Sequence, residues 1–158
     1  MTITAEDLKK LPTPTSTVEA QSGKDTLLYL EAPGSTTETP KWTLVGGQRD
    51  CTLDMSSDSI DASHKTSGGW QTKLQGLKTW SITYTGLQVM NDDGAQIMEY
   101  AFMNGKPVHA KIVYPDKSYQ QGWASVTKFK KGLAYKDAAT IDATLEGQGE
   151  ISEVTTGA

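Results

Sequence analysis

The sequence is poor in the residues that do chemistry. It holds one cysteine, Cys51, and two histidines, His64 and His109, among 158 residues. A single thiol excludes an intrachain disulfide, and three such residues cannot supply any standard Cys/His zinc spacing. A serine triad would need one of these histidines, yet no serine sits in a glycine-flanked nucleophile elbow, and His64 falls in a polar stretch. The glycine pairs at 46–47 and 68–69 do not lead into a phosphate-binding loop. Asp54, Asp58 and Asp61 are spaced loosely like calcium ligands, but the closing glycine and glutamate of an EF-hand loop are missing. No enzyme activity, cofactor or metal is therefore expected. Long apolar runs are lacking as well: nothing approaches the roughly 18–20 residues that span a bilayer. The first residues, "MTITAEDLKK", show no apolar run behind their charges. Neither a membrane anchor nor a secretory leader is expected.

What is present points to strands. A hydrophobic fraction of 36%, with 15 glycines and abundant Thr and Ser, fits a mainly β domain rather than a helical bundle. In "RDCTLDMSS", Cys51, Leu53 and Met55 alternate with Thr52, Asp54 and Ser56, the period of a half-buried strand. From Trp70 the chain alternates again: Trp70, Leu74, Trp80, Ile82 and Tyr84 are expected on one face, with a bulge near Gly76 where Leu77 falls out of phase. The polar residues 56–69 between these strands read as the tip of a long hairpin. One helix is predicted over about 93–104, with Asp92 or Asp93 to cap it, Gln96 in capping-box spacing, and Asn104-Gly105 to stop it. Residues 1–22, rich in Pro, Thr and Ser, read as a flexible arm, and 152–158 as a second.

The net charge of −4 conceals an uneven distribution. Lys106, Lys111, Lys117, Lys128, Lys130, Lys131 and Lys136 face Asp116 alone, whereas residues 137–158 carry five carboxylates and no cation. A mildly acidic chain is not a dedicated DNA binder, whose affinity would rest on neutralised phosphates. In "KFKKG", strand alternation sends Lys128 and Lys130 to one side and Phe129 and Lys131 to the other, which splits the basic cluster. Trp42, Trp70, Trp80 and Trp123 form either core and interface anchors or, if exposed, a sugar-stacking platform. By elimination the chemistry is binding, and another copy of the chain is the candidate partner.

The order of segments carries a resemblance. "GKDTLLYLE", then "WTLVGGQRDCTLDMSSDSIDASHKTSGGWQTKLQGLKTWSIT", a helix ending "AFMNGKPV", and a closing "LEGQGEI" resemble the major tail tube proteins of long-tailed bacteriophages, the family typified by lactococcal siphophages. The resemblance spans residues 23–151. It implies a β-sandwich or barrel-like domain with one flanking helix and a long β-hairpin loop, closing as hexameric rings that stack into a tail tube. It further implies a structural virion protein made in the host cytoplasm, partnered by itself, by a tape-measure protein and by tail-end proteins, with DNA only as non-specific cargo in the lumen.

On that reading the hairpin tip, with Ser57, Asp58, Ile60, Asp61, His64 and Lys65, is expected to meet the adjacent ring and to order only on assembly. Asp50, Asp54, Asp142 and Glu146 are the expected lumen-facing residues, since an acidic wall repels DNA and lets it slide. The lysine-rich region is expected to face away from the lumen or toward the adjacent ring. Two other readings remain: a tube protein of a contractile or secretion-type machine, and a carbohydrate-binding β-sandwich module of a phage adsorption device.

Overall fold

Two edges of one sheet that are joined by three residues must lie side by side, and this dictates the architecture. The structure, a computed structural model, describes residues 4–10 and 23–157. Seven strands form a single antiparallel sheet: β1 (Leu27–Glu31), β2 (Trp42–Leu44), β3 (Gln48–Asp61), β4 (Lys73–Leu87), β5 (Pro107–Val113), β6 (Tyr119–Gly132) and β7 (Thr140–Ile151), in the order β2-β1-β5-β6-β7-β4-β3. The edge strands β2 and β3 are consecutive in sequence, separated only by Val45, Gly46 and Gly47. Such a link spans at most roughly 15 Å, whereas the edges of a flat seven-stranded sheet lie about 29 Å apart. The sheet therefore curls until its edges meet.

Hydrogen bonds mark the closure. Val45 N donates to Leu28 O at 3.1 Å. The Gln48 amide accepts from Leu28 N and donates to Leu28 O, both at 2.9 Å. Gly47 makes the corner: its φ is +69°, and a Cβ there would lie 2.3 Å from Leu87 O.

The concave face holds the core. Leu28, Leu30, Ile82, Tyr84, Val108, Ala110, Ile112, Ala124, Ile141, Ala143 and Leu145 alternate along their strands and are buried. The open side is covered by α2 (Asp93–Asn104), which buries Gly94, Met98 and Ala101. Gly105, left-handed at φ +65°, ends α2, and Lys131 of β6 holds Glu99 of the helix at 2.9 Å. Asp92 occupies the position before the first helical turn, but its side chain makes no cap bond. Its carboxylate instead accepts from Gly46 N at 3.1 and 3.2 Å, while Tyr84 Oη donates to Gly46 O. The helix start is thus tied to the corner that closes the sheet.

Four expectations need correction. Residues 56–61, expected within a polar loop, are strand, so the connection between β3 and β4 is residues 62–72. Trp70, expected at the start of a strand face, lies in that connection and is 82% exposed. Leu74 does not share a face with Trp80. The register slips between Ser57 and Ser59, opposite Gly76 and Leu77, and the side chains beyond it change sides. Residues 152–155, expected to be a loose arm, are bonded to β6: Ser152 N donates to Gln121 O, and Thr155 and Tyr119 exchange two backbone bonds. The first arm contains a short helix, α1 (Ala5–Leu8), boxed by Thr4 and Asp7. Residues 1–3 and 11–22 of that arm, and Ala158 of the second, lie outside the described residues. Among the described residues, no helix is long and apolar enough to cross a membrane.

Candidate assembly surfaces

The convex face of β3, β4, β7 and the lower part of β6 is a ladder of small polar and charged side chains. Backbone pairing aligns three rungs: Asp50, Thr85, Asp142 and Lys130; then Thr52, Thr83, Thr144 and Lys128; then Asp54, Ser81, Glu146 and Ser125. None of these residues is buried. They share the face because each is one residue out of phase with a core position, as Asp142 and Glu146 are with Ile141, Ala143 and Leu145.

The four carboxylates predicted together thus do fall on one surface. Acids two strands apart are separated by about 10 Å, where their repulsion in water is about 0.4 kcal/mol before screening by salt. The face tolerates its charge at small cost to the fold. One sequence expectation is modified here, because Lys128 and Lys130 stand on the same face as these acids instead of pointing away. Four carboxylates against two ammonium groups leave two negative charges in excess on each copy.

The second surface is the hairpin. Beyond Met55 and Trp80 the paired strands leave the core, and every residue from Ser56 to Asp61 is exposed. Ser57 pairs with Lys78, Asp58 lies opposite the bulge, Ile60 pairs with Leu74 and Asp61 with Lys73. The connection above them is folded into turns. Ser63, through hydroxyl and amide, holds the Asp61 carboxyl below its ordinary range. His64 Nδ1 lies 2.7 Å from the Thr66 hydroxyl, and His64 N donates to the Ser67 hydroxyl. Lys65 is exposed in the same turn.

A third surface was not anticipated. On the convex face of β2, β1, β5 and β6, His109 stacks on Trp123 with ring centroids 4.7 Å apart and 8° between planes, and Trp42 tilts against it at 5.0 Å. His109 Nδ1 donates to the Glu31 carboxylate at 2.9 Å. That carboxyl is held below its ordinary range, first by the Ser35 hydroxyl and then by His109. Lys111 places its ammonium over Trp42 and Tyr119, at 5.0 and 4.3 Å. The one sequence signal is the alternation of "PVHAKIV", which puts His109 and Lys111 opposite the core positions Val108, Ala110 and Ile112. The pairing itself joins residues up to 81 positions apart.

Cys51 is a free thiol on the core side of β3. Its side chain turns toward the core, and burial pushes the thiol up to about 11, leaving little thiolate at neutral pH. Among the described residues no cluster of His, Cys, Asp and Glu could hold a metal ion.

The sheet is a curled antiparallel one, joined edge to edge only at the Val45–Gln48 corner, and its distinctive chemistry lies on its surfaces, a protruding hairpin and a polar convex ladder. The family model for phage tail tube proteins matches residues 20–153, and the chain belongs to that family. Its role is structural, as a tail tube component.

Solved structures show the same fold. A chain in the tail of an empty gene transfer agent particle, refined with C6 helical symmetry, superposes with a TM-score of 0.74 at 24% identity, covering 84% of this chain and 98% of that one. The SPP1 tail tube gives 0.69 at 19% identity, covering 88% and 80%. A chain of the anti-feeding prophage baseplate gives 0.62 at 10% identity, covering 89% and 96%. No curated protein matches the chain.

Proposed function

We propose that this chain polymerises into rings of six that stack head to tail, walling a conduit through which DNA leaves the virion. The observation that carries the reading is the three-rung convex ladder, with its excess of carboxylates among Thr and Ser. A wall for DNA needs such a surface: hydrated, without aromatic platforms on which bases would stack, and mildly repulsive to phosphate. Six copies would bring twelve excess negative charges to each ring. Lys128 and Lys130 moderate that repulsion near β6. The C6 symmetry of the gene transfer agent tail supports the number six.

Assembly follows from what one copy leaves unfinished. Along most of its length β3 pairs only with β4, and its free edge would invite aggregation unless a neighbour covered it. A ring that closes by rotation covers every such edge in turn. On this reading the chain acts without catalysis in the virion tail after synthesis in the host cytoplasm. Its other partners are a tape-measure protein inside the tube and the proteins at the tube ends. A tube of a contractile or secretion-type machine is an alternative reading, and the likeness to a chain of the anti-feeding prophage baseplate means that the fold is not confined to the tail tubes matched above. A carbohydrate-binding module is the other alternative: Trp80 is buried, Trp42 is covered by Lys111 and His109, and Trp123 has one face on His109, so the open ring such a module would use is Trp70, 82% exposed in the connection between β3 and β4.

The test is electron microscopy of the purified, concentrated protein in negative stain. Tubes of stacked rings with six-fold end views are expected. A chain that stays monomeric at every concentration and binds oligosaccharide would overturn the reading.

A further inference from the structure

We infer that the groove between α2, the segment after β1 and Trp123 is a docking site for a proline-rich, basic segment of a separate polypeptide, bound on the outside of the tube. The site is read from a single copy, and only its outward placement rests on the stacked rings proposed above.

The groove, of about 1060 Å³, lies where β1 finishes and β5 begins. From α2 it is lined by Asp93, Ile97 and Tyr100, whose spacing of four and then three residues puts them on one helix face. Its apolar lining is largely made of rigid rings, Pro33, Tyr100, Pro107 and Trp123, which lose little freedom when a ligand covers them. Tyr100 is 57% exposed and Trp123 49%, so both have surface left to cover. Trp123 is set before any ligand arrives. His109 stacks on one face of it at 4.7 Å, and Glu31 holds His109 at 2.9 Å.

Two features select the ligand. The first is the backbone around the groove. β1 is paired on both sides, with β2 and β5, and β5 with β1 and β6, so no strand edge is open there to take an added strand. A polyproline II segment needs none, because its backbone makes no ladder and its rings pack between aromatic side chains. The second is charge. Two carboxylates, Glu31 and Asp93, line the groove against one ammonium, Lys106. That ammonium lies 5.6 Å from the centroid of the Tyr100 ring, which therefore already takes a cation on its face. A lysine or arginine beside the prolines meets both the carboxylates and the rings.

Position names the side from which the partner comes. In the sheet order, β1 and β5 stand across the curled sheet from β4 and β7. With the convex ladder turned to the lumen, the groove turns outward, where a separate polypeptide reaches it and DNA does not.

The test is fluorescence anisotropy of a fluorescein-labelled peptide, RPLPPLP, titrated with the full chain. Saturable binding is expected. The peptide RALAALA should bind about tenfold more weakly or worse, and Tyr100→Ala should lower the affinity for RPLPPLP about tenfold with an unchanged circular dichroism spectrum. Asp93→Asn should weaken RPLPPLP but leave the binding of APLPPLP as it was, a split that a disturbed helix would not produce. Equal binding of RALAALA, or an affinity that Tyr100→Ala does not change, overturns the groove as the site.

Two further measurements fix the source and the side. The chain has a basic, proline-containing stretch of its own, "KKLPTPTST" at 9–17. The full chain with Pro12→Ala and Pro14→Ala should bind RPLPPLP no more tightly than wild type. A many-fold gain would make that stretch the occupant and overturn the separate partner. Assembled tubes should bind one peptide per subunit. Tubes that bind none while monomers bind would bury the groove in the assembly and overturn its outward placement. Monomers that bind the peptide but never form tubes remove the tube reading and leave the docking site standing.

Discussion

Gln48 takes the place of a missing strand pairing against Leu28, whose backbone amide and carbonyl both bond to the Gln48 side chain at 2.9 Å. The same Nε2 also donates to Val45 O at 2.6 Å. These bonds close the sheet where the chain crosses from one edge to the other. Gln48→Ala would leave Leu28 N without its partner in a part-buried site. A loss of about 1–3 kcal/mol is expected, read as a lower denaturation midpoint with unchanged m-value. Gln48→Glu should lose nearly as much, because a carboxylate cannot donate to Leu28 O or Val45 O. A Gln48→Glu variant as stable as wild type would show that closure does not depend on this amide.

Tyr84 gives a pH signature. Its hydroxyl donates to Gly46 O at 2.9 Å, and burial, followed by the nearby charges of Asp92 and Cys51, pushes it up to about 12 from an ordinary 10.0. A raised tyrosine favours the neutral, folded form, so its contribution is intact below pH 10 and is lost as pH rises from 10 toward 12. Tyr84→Phe should cost about 1 kcal/mol at neutral pH. The gap between the two proteins should narrow above pH 10 in chemical denaturation. A gap that stays constant to pH 12 would mean that the hydroxyl is not shielded in the fold.

The elements that carry an apolar period were legible in the sequence. Cys51, Leu53 and Met55, and Trp80, Ile82 and Tyr84, alternate because one side of each strand meets the core. Asp142 and Glu146 fall opposite that side for the same reason. The helix was legible from its stop at Gly105; of the apolar stripe Ile97, Met98, Ala101 and Phe102, Met98 and Ala101 are buried whereas Phe102 is 44% exposed. Its start was misread in part, because Asp92 spends its carboxylate on Gly46, 46 residues away. Residues 56–61 read as loop in the sequence because an exposed ribbon buries neither face and leaves no apolar alternation. The phase of Leu74 was lost at the bulge, where one extra residue reverses every side chain beyond it. The Trp42, His109 and Trp123 row depends on strand order, which no local pattern reveals.

The hairpin should be dispensable for folding. Its described residues above Ser57 and Lys78 add nothing to the buried core. Replacing 58–77 by an Asn-Gly turn joins two directly paired positions with a loop suited to a two-residue hairpin. The product should remain a folded monomer, melting within a few degrees of wild type, and should form no tubes by electron microscopy. Tubes indistinguishable from wild type would remove the hairpin from the assembly contact.

The convex ladder can be placed by size-selective labelling. Cys51 provides little background, since burial pushes its thiol up to about 11. Asp54→Cys and Glu146→Cys each introduce a thiol at an exposed rung position, and Asp54 and Glu146 both pair with Ser81 on β4. In monomers, both a small maleimide and one carrying a polymer too wide for the bore should react fully. In tubes, the small reagent should still react along the whole length, whereas the wide one should label only the few subunits at the ends. Shorter tubes should then take up proportionally more of the wide reagent, because only the number of ends has changed. A control thiol at Tyr135, which is fully exposed on the connection between β6 and β7, reports any general block of access. If the wide maleimide labels Asp54→Cys tubes as completely as monomers, the carboxylate ladder lies on the outside, and the reading of it as a wall for DNA fails.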